Sequence, residues 1–283
     1  MQKVVFVTGK GGVGKSIYAA TLAQKYAESG KKTLLVELGD ESCFKAFFKL
    51  PEVSYSPTPA KSSWDLALWS GADCLKEYAL HLLKSETVYK LFFENKVSRA
   101  LIQIAPGLPE LAILGKITSG PRRHGPSSPH EVIVVDGYAT GHFLALMRAP
   151  KGMTEAIHFG PMGEQSRSIL KTVMNTEICD YHIVTLAEEL PIKETIELYD
   201  QLKTEFGISS HVVLNKTLNI HLNSAQVIPQ TNEFVRYVKS TLQREEEARA
   251  QLKSKNLSSY ELPHIYDKTS YDLIEQLAQE IQI

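Results

Sequence analysis

Gly9-Lys10-Gly11-Gly12-Val13-Gly14-Lys15-Ser16 follows a short apolar run, Val4 to Thr8, and precedes a helical pattern from Ser16 to Ser29. The spacing is G-x-x-x-x-G-K-S, a phosphate-binding loop placed between a strand and a helix. Glycines let the backbone curl, its N–H groups cradle phosphates, and the helix N-terminus adds positive potential. In this pattern Lys15 reaches the β- and γ-phosphates, and the Ser16 hydroxyl ligates Mg²⁺. Gly9, Lys10, Gly11, Gly12, Val13, Gly14, Lys15, Ser16 and the following Ile17 are therefore the expected nucleotide contacts. Lys10 is a second lysine inside the loop, which makes this a deviant form of the motif.

Gly9, Gly11 and Gly14 also satisfy G-x-G-x-x-G, and Glu37 stands near where a dinucleotide fold places its ribose-binding acid. That alternative leaves the consecutive Lys15 and Ser16 without a role, so a nucleoside triphosphate is the expected ligand.

Composition agrees with an α/β chain able to bury a sizeable core. Of its 283 residues 43% are hydrophobic and 22% charged, and 31 basic against 32 acidic side chains leave a formal charge of −1. That balance carries no nucleic-acid footprint. Cys43, Cys74 and Cys179 lie far apart without a C-x-x-C, so they read as buried, reduced thiols. No apolar run approaches the roughly 18 residues of a membrane span, and no signal segment precedes the first strand. A cytoplasmic protein is expected.

Along the chain, a basic turn at Gly30-Lys31-Lys32 leads to a second strand, Thr33 to Leu38, which completes a βαβ unit. Residues 51–63 hold three prolines and four serines and read as a surface loop. A strand near Asp65 to Trp69 is followed by a helical pattern from about Leu75 to Ile104, broken at Pro106-Gly107 and resuming to about Ile117. Its aromatic stripe is Tyr78, Tyr89, Phe92 and Phe93, which reads as core. Ser119 to His130 reads as a polar loop. Core strands are expected at Val132 to Val135, His182 to Leu186, His211 to Leu214 and Leu262 to Tyr266. Helices are expected from Ile192 to Phe206 and from Ser270, and Met153 to Met174 reads as a short connection. The whole is one α/β domain over residues 1–283, a doubly wound, mainly parallel sheet of a P-loop NTPase with a helical insertion at about 75–130.

Asp136 follows Val-Ile-Val-Val, the placement of an acid that holds Mg²⁺ beside a bound phosphate. With Ser16 it forms the expected metal site. The segment Val134-Val135-Asp136-Gly137-Tyr138-Ala139-Thr140-Gly141-His142 resembles the switch II region of the ArsA-type ATPases, which include arsenite-pump and tail-anchored-protein-targeting ATPases. Val184 to Thr195 (VTLAEELPIKET) is similar to another segment of that family, and Val213-Leu214-Asn215 resembles its adenine-contacting element. Pro106 to Glu110 matches the P-G-x-x-E of its helical region. The resemblance implies Mg-ATP as cofactor, Asn215 in base recognition, and a nucleotide-sandwiched dimer in which Lys10 reaches the partner's phosphates. It also implies a protein client, and a homodimer or a heterodimer with a paralogous ATPase.

Two departures bear on turnover. The family's D-P-A-H switch I is replaced by Gly39-Asp40-Glu41-Ser42, so the water-positioning aspartate falls to Asp40, one residue late, with Glu37 as a further candidate. Gly137 and Ala139 replace the threonine and proline of switch II, and Ile17 stands where a second hydroxyl residue often follows. The expected catalytic residues are Lys10, Asp40 and Asp136. A degenerate nucleotide-binding subunit paired with an active paralogue, and a MinD/ParA-like positioning ATPase, are the alternatives. The run Arg244 to Arg249 reads as a solvated helix face with a Glu245–Arg249 pair, and the nine histidines show no metal-ligand spacing.

Overall fold

Val4 to Val7 are completely buried, which an apolar strand achieves only when helices cover both faces of its sheet. A computed structural model describes residues 2–61, 64–83, 107–218, 233–266, 268 and 270–282. Eight strands are present among these: β1 (Lys3–Gly9), β2 (Thr33–Leu38), β3 (Thr58–Lys61), β4 (Trp64–Trp69), β5 (Val132–Ala139), β6 (Cys179–Thr185), β7 (His211–Thr217) and β8 (Ser259–Pro263). They form one sheet in the order β3-β4-β2-β5-β1-β6-β7-β8. Every neighbouring pair is parallel except β3 with β4.

Side-chain alternation divides the core between the two faces. Val5, Val7, Val132 and Val134 pack against α1 (Lys15–Glu28). Val4, Phe6, Ile133 and Val135 face the opposite layer. After the short α2 (Cys43–Phe47), that layer draws on α3 (Gly71–Leu83), α4 (Leu108–Ile117), α5 (Ser119–Arg122), α6 (Thr140–Ala156), α7 (Gly160–Val173) and α8 (Glu189–Phe206). The Phe6 ring stacks on Tyr181 at 5.2 Å and meets the edge of Phe143 at 6.1 Å. The Tyr181 hydroxyl donates to the Val173 carbonyl. Last come α9 (Glu233–Ser254) and α10 (Ser270–Glu280). Ile274 and Leu277 of α10 join the α1 cluster, so this last helix packs on the core. Among the described residues no helix is long and apolar enough to cross a membrane.

Several sequence expectations need correction. The 51–63 loop contains β3, an edge strand able to hold Pro59 because its outer side needs no partner. Met153 to Met174 is mostly the end of α6 and the whole of α7. Four residues of the 119–130 loop are the helical turn α5. Glu245 is buried, not solvated: its carboxylate accepts from the Leu218 backbone N–H at 2.7 Å and pairs with Arg249 at 3.3 Å. Cys74 and Cys179 are buried as expected, whereas Cys43 is exposed. Tyr89, Phe92 and Phe93 lie outside the described residues.

Truncating Phe6 to Ala removes the ring that joins β1, β6 and α6. Urea unfolding should show a loss of about 3–5 kcal/mol.

Candidate functional site

The loop after β1 is shaped by two glycines that no other residue replaces cheaply. Gly9 has φ +142, and a Cβ there would lie 2.1 Å from the Val184 carbonyl oxygen of β6. Gly14, at φ 96 and ψ 25, caps the start of α1. A Cβ on it would lie 2.4 Å from the Asn215 amide nitrogen. No side chain caps α1 and no acid sits in its first turn, which leaves its N-terminal N–H groups available to an anion. Lys15 curls back over the loop, its Nζ donating to the Lys10 carbonyl at 3.0 Å. Burial lowers its pKa and the Asp136 charge opposes that. Ile17 packs into the apolar cluster beneath α1.

Parallel register brings the acids beside this loop. Asp136 is paired with Val7 on one side and with Glu37 on the other. It lies inside β5 rather than at its end, because the strand continues through Gly137 and Tyr138 to Ala139. A Cβ at Gly137 would lie 2.8 Å from the Val7 carbonyl oxygen, and the Thr8 hydroxyl donates to the Tyr138 carbonyl at 2.9 Å. The segment that resembles switch II is thus strand up to Ala139, with α6 starting at Thr140.

The Asp136 carboxylate is buried, and its Oδ1 has no hydrogen-bond partner among the described residues. Burial pushes its pKa up to about 7, the Ser16 hydroxyl and Lys15 pull it down, and Glu37 adds to the rise. Glu37 itself is engaged: its carboxylate accepts from the Ser42 hydroxyl and from the Cys43 backbone N–H, the latter at 2.7 Å. The Cys43 thiol joins Glu37 and Asp136 with all ligand atoms within 4.8 Å. Burial and the neighbouring Glu37 push that thiol up to about 12, so it is protonated at neutral pH.

The remaining expected residues divide. Asn215 is buried against the loop, its amide donating to the Val13 carbonyl at 2.9 Å. Lys10 forms an ion pair with Glu194 of α8, whose second carboxylate oxygen accepts from the Thr140 hydroxyl at 3.3 Å. Asp40 is exposed and follows Gly39 at φ +149. Its charge contributes to the raised pKa of Tyr138, after burial and Glu110. Sequence reasoning missed Glu194 and Cys43. Glu194 lay in the quoted P-I-K-E-T segment, but nothing in spacing tied it to Lys10, 184 positions away.

Comparison with known proteins fits this geometry. The model of the ArsA-type anion-transporting ATPase family matches residues 2–176, taking in the loop, Glu37 and Asp136. The chain belongs to that family. It is 30% identical over 225 residues to the ATPase BagA of Mycobacterium tuberculosis, covering 76% of this chain and 65% of that relative. It is 26% identical over 231 residues to a putative arsenical pump-driving ATPase of Halobacterium salinarum, covering 75% and 35% respectively. A third relative, ATPase ASNA1 homolog 1 of Paramecium tetraurelia, is 26% identical over 161 residues, 55% of this chain and 46% of its own. The matched region therefore spans less than two thirds of the length of these ArsA-type relatives.

Gly14→Ala forces a left-handed residue to carry a Cβ into Asn215. It should cost roughly 1–2 kcal/mol of stability and open the loop, seen as a lower melting temperature and faster amide exchange at Val13 to Ser16.

Proposed function

We propose that the chain binds Mg-ATP at the loop Gly9 to Ser16 and uses it as a dimerisation switch acting on a protein client. The observation that carries the reading is the buried, unpartnered Asp136 oxygen beside the Ser16 hydroxyl and Lys15. A buried polar atom with no partner is costly, and a cation held between Asp136, Ser16 and the phosphates would satisfy it. Bound Mg²⁺ supplies positive charge that offsets the charge of the phosphates. Lys15, turned inward over the loop, would exchange its bond to the Lys10 carbonyl for phosphate oxygens. The loop N–H groups and the start of α1 would hold the remaining oxygens. Asn215, which rests on the loop through its bond to the Val13 carbonyl, would contact the base.

In this reading Lys10 acts in trans, on the phosphates of a second protomer, and Glu194 holds it in the meantime. Releasing Lys10 would leave the Glu194 charge unpaired beside Thr140 at the start of α6, which would couple nucleotide state to a helix. Whether the partner is a second copy or a paralogous ATPase is decided by the association measurements below.

A second reading has its own observation. The position of the water-orienting aspartate is Gly39, Asp40 faces solvent, and the Glu37 carboxylate is taken by Ser42 and Cys43. A subunit that binds nucleotide and turns it over only in company with a paralogue matches that arrangement.

Calorimetry with ATP and Mg²⁺ should show Lys15→Ala weakening binding by at least about 100-fold; unchanged affinity would overturn the nucleotide site. Lys10→Ala should bind ATP within about threefold of the parent while losing ATP-dependent association in sedimentation and most turnover. No ATP-dependent association of the parent chain, alone or with a paralogue, would refute the trans lysine. Steady-state turnover that falls in Asp40→Asn supports Asp40 as the water-orienting acid, and turnover absent from the pure chain despite tight binding supports the second reading.

A further inference from the structure

A second cluster of ligand-type side chains lies on the α1 face of the sheet, across β1 from Asp136. Asp180 and His182 are two positions apart on β6 and therefore share a face. His182 and His211 are direct partners in the parallel β6–β7 register. Asp180 is level with Val5 and His182 with Val7, the residue that Asp136 flanks on the other side. The three side chains thus meet on β6 and β7 beneath α1, with β1 between them and Asp136.

We infer that Asp180, His182 and His211 form a binding site for one divalent transition metal of the zinc class, separate from the nucleotide site. One ligand atom from each residue falls within 4.8 Å of the others. His182 Nε2 is 3.5 Å from Asp180 Oδ2, and His211 Nε2 is 3.2 Å from Asp180 Oδ1. Zinc bonds of about 2.0–2.1 Å in tetrahedral geometry require ligand separations of about 3.4 Å. Each histidine nitrogen is in that range of an Asp180 oxygen, one on Oδ2 and one on Oδ1, so binding one ion requires a turn of the carboxylate or of one ring. Two imidazoles and one carboxylate are a borderline donor set that suits zinc, cobalt or iron(II) and disfavours Mg²⁺, which prefers oxygen ligands.

Supporting contacts of the kind a metal site requires are present. Tyr18 of α1 is buried, and its hydroxyl lies 2.8 Å from His182 Nδ1. Accepting from Nδ1–H, that hydroxyl would hold the ring as the tautomer whose Nε2 is free for a metal. His211 packs against Tyr260 at a ring distance of 5.7 Å. The site opens into a cavity of about 320 Å³ lined also by Lys3, Glu261 and Glu280. That leaves a position for water or an added ligand.

Lys3 is the competing cation. Its Nζ sits 3.5 Å from Asp180 Oδ2, where it balances the carboxylate as a metal would. The lysine side chain is 42% exposed, so it can swing into solvent when a metal arrives. Glu261 is engaged by Arg249 at 2.7 Å, which leaves the two histidines and Asp180 as the protein ligands.

The test uses the full chain, stripped with a chelator and kept in Mg²⁺. Titration with Co²⁺ should produce visible d–d absorption that saturates at one equivalent and is displaced by Zn²⁺. His211→Gln, at a half-exposed position, and Asp180→Asn should each weaken Zn²⁺ binding by at least about tenfold. Cys43→Ser should leave the Co²⁺ spectrum unchanged, because that thiol belongs to the cluster beside the phosphate loop. No saturable signal in the parent, equal affinity in the two ligand variants, or loss of the signal in Cys43→Ser would each overturn the site.

Discussion

The parallel pairing of β1 with β5 is the interaction on which this molecule's chemistry depends. It fixes Asp136 beside Val7, two residues before the phosphate loop begins. The same strand pairs on its other edge with β2, so Glu37 arrives level with Asp136. Two carboxylates and a glycine loop converge because three buried strands share one register. The pairing is close: a Cβ at Gly137 would press on the Val7 carbonyl oxygen. A glycine in the middle of β5 lets the strands come together where the site is built.

That arrangement also places the site's unresolved forces. Asp136 is buried with an oxygen that no donor among the described residues satisfies, beside a loop whose Lys10 is ion-paired. That oxygen contrasts with buried groups that find partners, such as Trp64 on Gln24 and Trp69 on the Tyr55 carbonyl. Such a contrast marks where a fold is shaped by a ligand rather than by its own stability.

Much of the fold was legible. β2 was read from Thr33 to Leu38 and is found there, and α1 begins and ends within a residue of expectation. Those segments carry strong local signals: a continuous apolar run, a helical stripe, and Gly30 at φ +82 just past the helix. The misreadings share a cause. The prolines of residues 51–63 hid an edge strand, and the sparse apolar residues of Gly160–Val173 hid α7. In each case a distant partner, not local propensity, decides the structure. The charges around Glu245 misled in the same way, because the Leu218 N–H that anchors it lies 27 positions away.

The sequence by itself determined the phosphate loop, the family to which it belongs and the identity of Asp136, since each is written in contiguous residues with their own turn and strand chemistry. Tertiary structure alone decided that Lys10 rests on Glu194, that Cys43 joins Glu37 and Asp136, and that Asp180, His182 and His211 meet under Tyr18. These contacts join residues up to 184 positions apart. Strand order and register set their distances, and those follow from how the whole chain packs its core rather than from any local spacing.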